Sequence, residues 1–387
     1  MRSGVKFLLE NCAKPRKSSP MTETELAATI QATPLAALLA SAVLPPELTV
    51  YRGVLTPREL DAPERETAAL ATGAAAHDLG WFRRVAVRGE DRFRWLSGMV
   101  TNVVNELGAN AGAWNLVLNA QGRIRGDLTV WRERDELDLE IEAGQFEPLM
   151  AHLERFIVMD DVELVVLSGE AAVGLTGPAS DDVLDRLSLP TLPAPMTTTR
   201  VEWNGVNLRI FRGYGVLAPH YELWAPEPGI KRVWGALHTA GATAVGAASL
   251  EAFRIAEGIP AYGIDIAERD LPQETSQMRA LNFNKGCYLG QEIVERIRSR
   301  GSVHRHVRQL ELTRPVPAGG TELTMIDGTA VGQVTSAARL ALPAAPRIFA
   351  LGMIRAEAEL RDQPLGYASG AGSGTARIVE GQPHLNG

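Results

Sequence analysis

A chain of 387 residues exceeds the roughly 250–300 residues that one hydrophobic core supports, so two or three domains are expected. Its 45% hydrophobic and 22% charged residues are those of an ordinary globular protein, and a net charge of -7 excludes a general nucleic-acid-binding role, which needs a cationic face. Two cysteines, Cys12 and Cys287, exclude a disulfide framework, and no apolar run reaches the roughly 18 residues of a membrane span, so a reducing cytoplasm and no membrane partner are expected.

The first 20 residues are basic and polar, and the apolar piece Val5 to Leu9 is too short for a signal-peptide core. They read as a disordered tail, or as sequence ahead of a natural start at Met21. Thr22 to Leu44 is alanine-rich and suggests a helix interrupted by Pro34 and ended by Pro45 and Pro46. A helix over Glu64 to Ala75 and a strand over Arg83 to Arg88 follow, and Asp91 is placed to cap a short helix carrying Phe93, Trp95 and Leu96. His77 and Asp78, adjacent polar groups in an apolar setting, read as a satisfied structural pair.

Trp114 to Leu118 and Ile124 to Trp131 flank the turn Asn119-Ala120-Gln121-Gly122, a hairpin signal. Asp127 lies inside it, where a carboxylate either faces solvent or has a function. A strand at Leu137 to Ile141, a helix at Phe146 to Phe156 and a strand at Val162 to Leu167 suggest split βαβ layers with antiparallel pairing. A second hairpin, Val201 to Phe211, turns at Asn204-Gly205, the signature of a type I′ turn. Glu222 alternates with apolar residues on the strand Tyr221 to Trp224, and Arg254 sits on the helix Leu250 to Glu257. Beyond Gly301, period-2 apolar runs separated by Gly and Pro predict a small closed β-barrel, which removes exposed strand edges. The Gly- and Ser-rich end is expected to fray.

The densest chemistry is Lys285-Gly286-Cys287-Tyr288-Leu289-Gly290-Gln291-Glu292, followed by a helical pattern from Gln291 to Arg300 in which Glu292 precedes Arg296 by four. Cys287 thus precedes a helix start and neighbours Lys285, and both features favour a thiolate. The competing reading is a small buried hydrophobe.

With these residues in view, the chain resembles the folate-binding YgfZ family, relatives of the glycine-cleavage T-protein (aminomethyltransferase). Lys285, Gly286, Cys287, Tyr288, Gly290, Gln291, Glu292 and Arg296 match its motif without a mismatch. The likeness extends from about Glu64 to about Asp362, through Leu118-Asn119, Gly126-Asp127-Leu128, Gly213-Tyr214-Gly215 with Glu222, Arg254 with Gly258, and Gly332 to Ser336. It implies an α+β, T-protein-like fold: a flexible extension (1–48), a folate-binding region of two interwoven split-βαβ units (49–300) and a C-terminal β-barrel with a frayed tail (301–387). It implies tetrahydrofolate as cofactor, including polyglutamylated forms, with Glu222 binding the pterin and Asp127 at the position of the catalytic carboxylate. Tyr288, Gln291, Arg254 and Arg296 join them as folate-binding candidates, and Cys287 is the working thiol, activated by Lys285. Arg298, Arg300, His304 and His306 are further candidates for the folate tail, because the second folate-contacting arginine of the T-proteins falls near Leu250 here. The function implied is support of iron-sulfur cluster assembly or repair in client enzymes, with those clients or assembly proteins as partners. The rival is a true aminomethyltransferase; a one-carbon accessory module of demethylases or oxidases is a third reading.

Overall fold

The computed structural model describes residues 30–41, 44–361, 363–383 and 385. The expectations for Cys12, Met21 and the helix before Pro34 lie outside them. Pro34 opens α1 (Pro34–Leu39) and does not interrupt it, since a proline at the first helical position forgoes an amide that has no partner anyway. Thr33 Oγ1 caps that helix by accepting from the Ala36 amide at 3.0 Å.

The hairpin β1 (Leu48–Tyr51) and β2 (Val54–Pro57) turns through Arg52 and Gly53, both at positive φ. Then follow α2 (Pro63–Thr72), β3 (Ala75–Asp78), β4 (Phe82–Arg88), α3 (Arg92–Met99), β5 (Ala111–Leu118), β6 (Ile124–Glu133), β7 (Glu136–Glu142), α4 (Ala143–Glu154) and β8 (Glu163–Leu167). After them come β9 (Glu170–Thr176), α5 (Ser180–Arg186), β10 (Thr197–Trp203), β11 (Val206–Arg212), β12 (His220–Pro226), α6 (Glu227–Thr239), β13 (Thr243–Val245) and α7 (Ala247–Ala256). Asp91 stands at the start of α3 as expected, yet its carboxylate accepts from the Asp161 amide at 3.0 Å and not from a helix amide. The Asn204-Gly205 turn between β10 and β11 adopts positive φ at both residues, as a type I′ turn requires.

Strands β3 to β13 form one sheet in the order β13-β3-β9-β12-β11-β10-β5-β6-β7-β4-β8. It consists of two halves, and between β10 and β5 the register has a single pair, Thr197 with Ala111. The chain enters the first half with β3, builds the second with β4 to β8 and returns for β9 to β13, so the halves are interwoven. They fold onto each other across the seam: the Trp131 ring of β6 lies 4.7 Å from Phe211 of β11, and the Arg84 guanidinium of β4 lies over Phe211 and Trp224 at 4.4 and 5.4 Å.

After α8 (Gln291–Arg300) the chain forms β14 (Arg305–Leu312), β15 (Glu322–Thr324), β16 (Ala330–Leu340), β17 (Arg347–Arg355), α9 (Ala356–Glu359), β18 (Leu365–Ser369) and β19 (Gly372–Ile378). Its strands close a barrel in the order β14-β17-β16-β15-β18-β19. Helix α7 seats the barrel on the sheet: Phe253 and Ile255 share a buried cluster with Leu70 of α2 and with Leu340, Phe349 and Leu351 of the barrel.

Candidate functional site

Where the halves of the sheet meet, a cavity of about 180 Å³ opens between β5, β6, β7 and β12. Alternation along β6 sends Asp127, Thr129 and Trp131 to this face. The Asp127 carboxylate accepts from Trp114 Nε1 at 2.7 Å and from Gln145 Nε2 at 2.8 Å, which fixes its orientation, and burial raises its pKa above the usual carboxylate value.

Glu222 enters from β12 and is only 3% exposed. Its Oε2 accepts from Trp224 Nε1 at 3.0 Å. Burial first, and then Glu140 in hydrogen-bonding contact, push its carboxyl well above the ordinary value. Glu140 is itself anchored by Arg84 Nη1 at 3.2 Å. His220, 4.0 Å from Glu222, supplies no counter-charge, because burial lowers its pKa to about 4.

The third expected residue in the cavity wall is Arg254. Its Nη1 donates to Asp265 Oδ2 at 2.7 Å and its Nε to Glu251 Oε2 at 3.0 Å, while Asp265 accepts from Thr335 and Ser336 of the barrel. It therefore braces α7 against the barrel. His77 and Asp78 are both buried and satisfied, but by other groups than each other's side chains: His77 Nε2 meets Thr176 Oγ1 at 2.9 Å, and Asp78 accepts from Thr56 Oγ1 and the Gly80 amide, each at 2.8 Å.

The Lys285 to Arg296 stretch lies outside this wall. Lys285 Nζ is turned inward and donates to the carbonyls of Ser97, Val100 and Asn102 at 2.8, 2.6 and 2.7 Å, so it closes the C-terminal end of α3, where the helix dipole favours a cation. All three of its donors are thus engaged with backbone carbonyls, and burial lowers its pKa to about 8. Tyr288 is buried among Leu116, Leu118, Ile124 and Val294, and Gln291 Oε1 accepts from the Tyr288 amide at 3.1 Å. Arg296 pairs on the surface with Glu292 at 2.9 Å, Arg298 with Glu295 at 3.5 Å, and His306 with Glu359 at 2.8 Å. Cys287 is exposed.

Gly290, at φ +81°, shows why the motif needs glycine: a Cβ there would lie 2.5 Å from the Asn119 carbonyl oxygen, in the turn of the β5–β6 hairpin. The Cys287 loop is thus docked on the strand pair that carries Asp127. Asn102 adds a second tie, its Nδ2 donating to the Arg279 carbonyl at 2.8 Å while its own carbonyl receives Lys285.

Lys285→Met should therefore destabilise the protein by about 2–3 kcal/mol, since three buried carbonyls lose a charged donor. Denaturant unfolding measures this, and a loss below about 0.5 kcal/mol would contradict it.

Several cavity residues escape a sequence reading. Trp114 and Gln145 act through their placement beside Asp127, and Arg52 through a turn that points it at Glu142, with which it pairs at 3.0 Å. Glu140 and Glu142 left a signal: Glu136, Asp138, Glu140 and Glu142 alternate with Leu137, Leu139 and Ile141, so one strand face carries four acids, of which Asp138 and Glu140 are buried.

The model of the GCVT N-terminal domain family matches residues 49–285. A chloroplastic protein of Arabidopsis thaliana with a provisional transferase name is 25% identical over 280 residues, 71% of this chain. That alignment covers 64% of the plant protein, less than two thirds of its length. An aminomethyltransferase of Herpetosiphon aurantiacus is 27% identical over 286 residues, 70% of this chain and 76% of its own. The crystal structure of the glycine cleavage system aminomethyltransferase T from Bartonella henselae superposes with a TM-score of 0.80 at 19% identity, covering 91% of this chain and 97% of that one. The fold is accordingly that of the T-proteins. Among the described residues no helix is long and apolar enough to cross a membrane.

Proposed function

The chain belongs to the family of the GCVT N-terminal domain, and from that premise we propose that it binds tetrahydrofolate and supports iron-sulfur cluster assembly or repair in client enzymes. The observation that carries the folate reading is the meeting of Asp127 and Glu222, from opposite halves of the sheet, in one cavity with Phe82, Trp114, Trp131 and Tyr214. A pterin is planar and presents an amino group and a ring N-H as a bidentate donor edge, which suits aromatic walls and a carboxylate. Bound tetrahydrofolate supplies a nitrogen able to carry a one-carbon unit. Glu222 would hold the donor edge, releasing its proton on binding. Asp127, oriented by Trp114 and Gln145, is placed to hold or move a proton at the same face.

The iron-sulfur reading rests on Cys287. Its thiol is exposed, outside the cavity wall, on a loop fixed by Lys285 and Gly290, so another protein can reach it. Because a cluster takes about four thiolates or equivalents, one cysteine supplies a transient ligand. Complementation of a deletion strain tests this reading: Cys287→Ala is expected to leave cluster-dependent enzymes inactive while tetrahydrofolate binding and melting temperature stay at wild-type values. Equal rescue by both proteins would end the thiol proposal.

The second reading, an aminomethyltransferase, is favoured by the half-buried, oriented Asp127. It predicts restored glycine cleavage in a strain lacking T-protein, and loss of that rescue with Asp127→Asn.

A further inference from the structure

Three arginines line the cavity, Arg52, Arg254 and Arg279. Arg52 pairs with Glu142 and Glu251 at 3.0 and 3.6 Å, and Arg254 with Asp265 and Glu251. Arg279 differs. Among the described residues no carboxylate oxygen lies within ion-pair distance of it, and its Nη1 is buried without a hydrogen-bond partner. Its Nε donates to Gln277 Oε1 at 3.1 Å. Burial lowers its pKa to about 10, which leaves it cationic at neutral pH.

Two aromatic rings hold this cation in place. The guanidinium lies 3.5 Å from the centroid of Tyr214 and 4.8 Å from that of Trp114, the indole that donates to Asp127. Its backbone is pinned by Asn102. Of the two acids whose charge it feels, Glu257 accepts from the amides of Val216 and Leu217 at 2.8 and 3.0 Å, and Asp127 is held by Trp114 and Gln145. A buried guanidinium nitrogen without a partner is costly unless an acceptor completes it. A planar fork is suited to a carboxylate.

We infer that Arg279 is an anion-binding residue of the cavity, whose guanidinium group takes a carboxylate of the bound ligand. The carboxylate has two sources: the glutamate tail of tetrahydrofolate, or a separate small carboxylate bound in the same cavity. The inference rests on the folate reading for the first source alone.

Isothermal titration of the full chain under anaerobic conditions distinguishes them, with tetrahydrofolate, tetrahydropterin lacking the benzoylglutamate, and acetate as probes. If the folate tail is the source, Arg279→Met weakens tetrahydrofolate binding about tenfold or more and leaves tetrahydropterin within twofold of wild type. If the source is separate, acetate binds the wild type with or without tetrahydropterin, and Arg279→Met abolishes that binding. Tetrahydrofolate and acetate binding both within twofold of wild type in the variant would overturn the inference. Arg279→Gln, which keeps a polar group over Tyr214, is read in the same way should the Met variant fail to fold. Absence of tetrahydropterin binding by the wild type would sink the folate reading, and Arg279-dependent acetate binding would still stand as support for the anion site.

Discussion

Glu222→Gln is expected to lower tetrahydrofolate affinity about 100-fold and, at the same time, to raise thermal stability at neutral pH. The first effect follows from charge: a carboxylate accepts both donors of a pterin edge, whereas an amide offers one acceptor oxygen and a donor that opposes the second. The second follows from burial. Glu222 is 3% exposed, with a carboxyl raised well above the ordinary value by desolvation and by Glu140. Between the usual carboxylate range and that raised value the folded state holds a proton that the unfolded state has released, so wild-type stability falls as pH rises. The amide of the variant does not titrate, and it can still accept from Trp224 and donate to Glu140. The gap in melting temperature should widen from pH 5 to pH 8. The same titration makes wild-type folate binding stronger with rising pH, because the proton competes with the pterin for Glu222. Unchanged affinity in the variant would remove Glu222 from the binding site; a pH-independent gap would show that its carboxyl is not raised.

The larger stability effect is expected at Arg84. This side chain is 1% exposed, pairs with Asp138 at 2.9 Å, Glu140 at 3.2 Å and Glu133 at 3.8 Å, and stacks on Phe211 and Trp224. Arg209 also reaches Glu133 and Asp138, so Glu140 is the acid left without a cation when Arg84 is removed. Arg84→Met keeps the apolar stem and leaves that charge uncompensated, at a cost of about 3–5 kcal/mol. Adding Glu140→Gln should recover part of the loss, since the orphaned charge goes with it. Urea unfolding of both variants measures this, and a single-mutant loss below about 1 kcal/mol would show that Arg209 suffices. Because Arg84 also holds the Glu222 carboxyl down, its removal should move folate binding to higher pH.

Arg84 and Arg279 illustrate how unevenly the site was written into the chain. Asp127 and Glu222 were visible as acids alternating with apolar neighbours on strands, a local pattern of period 2. Glu140 lay in a similar alternation, but the pattern reports that a face is acidic and is silent on whether that face is wet. Arg84, between Arg83 and Val85, and Arg279, between Met278 and Ala280, carried no local mark, because burial, stacking and the absence of a partner are set by residues from β6, β11 and β12 and from the Gly213-Tyr214 segment. The motif around Cys287 was the reverse case: conspicuous in sequence, with Lys285, Tyr288 and Gln291 engaged in holding the loop and the Cys287 thiol exposed.

By itself the sequence determined the secondary structure of the hairpins and of α8, the α+β class and the terminal barrel, because turn chemistry, strand alternation and helical spacing act over a few residues. Only the tertiary structure decided that the two sheet halves fold together at the Thr197–Ala111 seam and enclose Asp127, Glu222 and Arg279. It also decided which charges among the described residues are paired and which are not. The physical reason is that desolvation and ion pairing depend on the contents of a few ångströms of space, and that space is filled by segments up to about 230 residues apart in the chain, from Arg52 to Arg279.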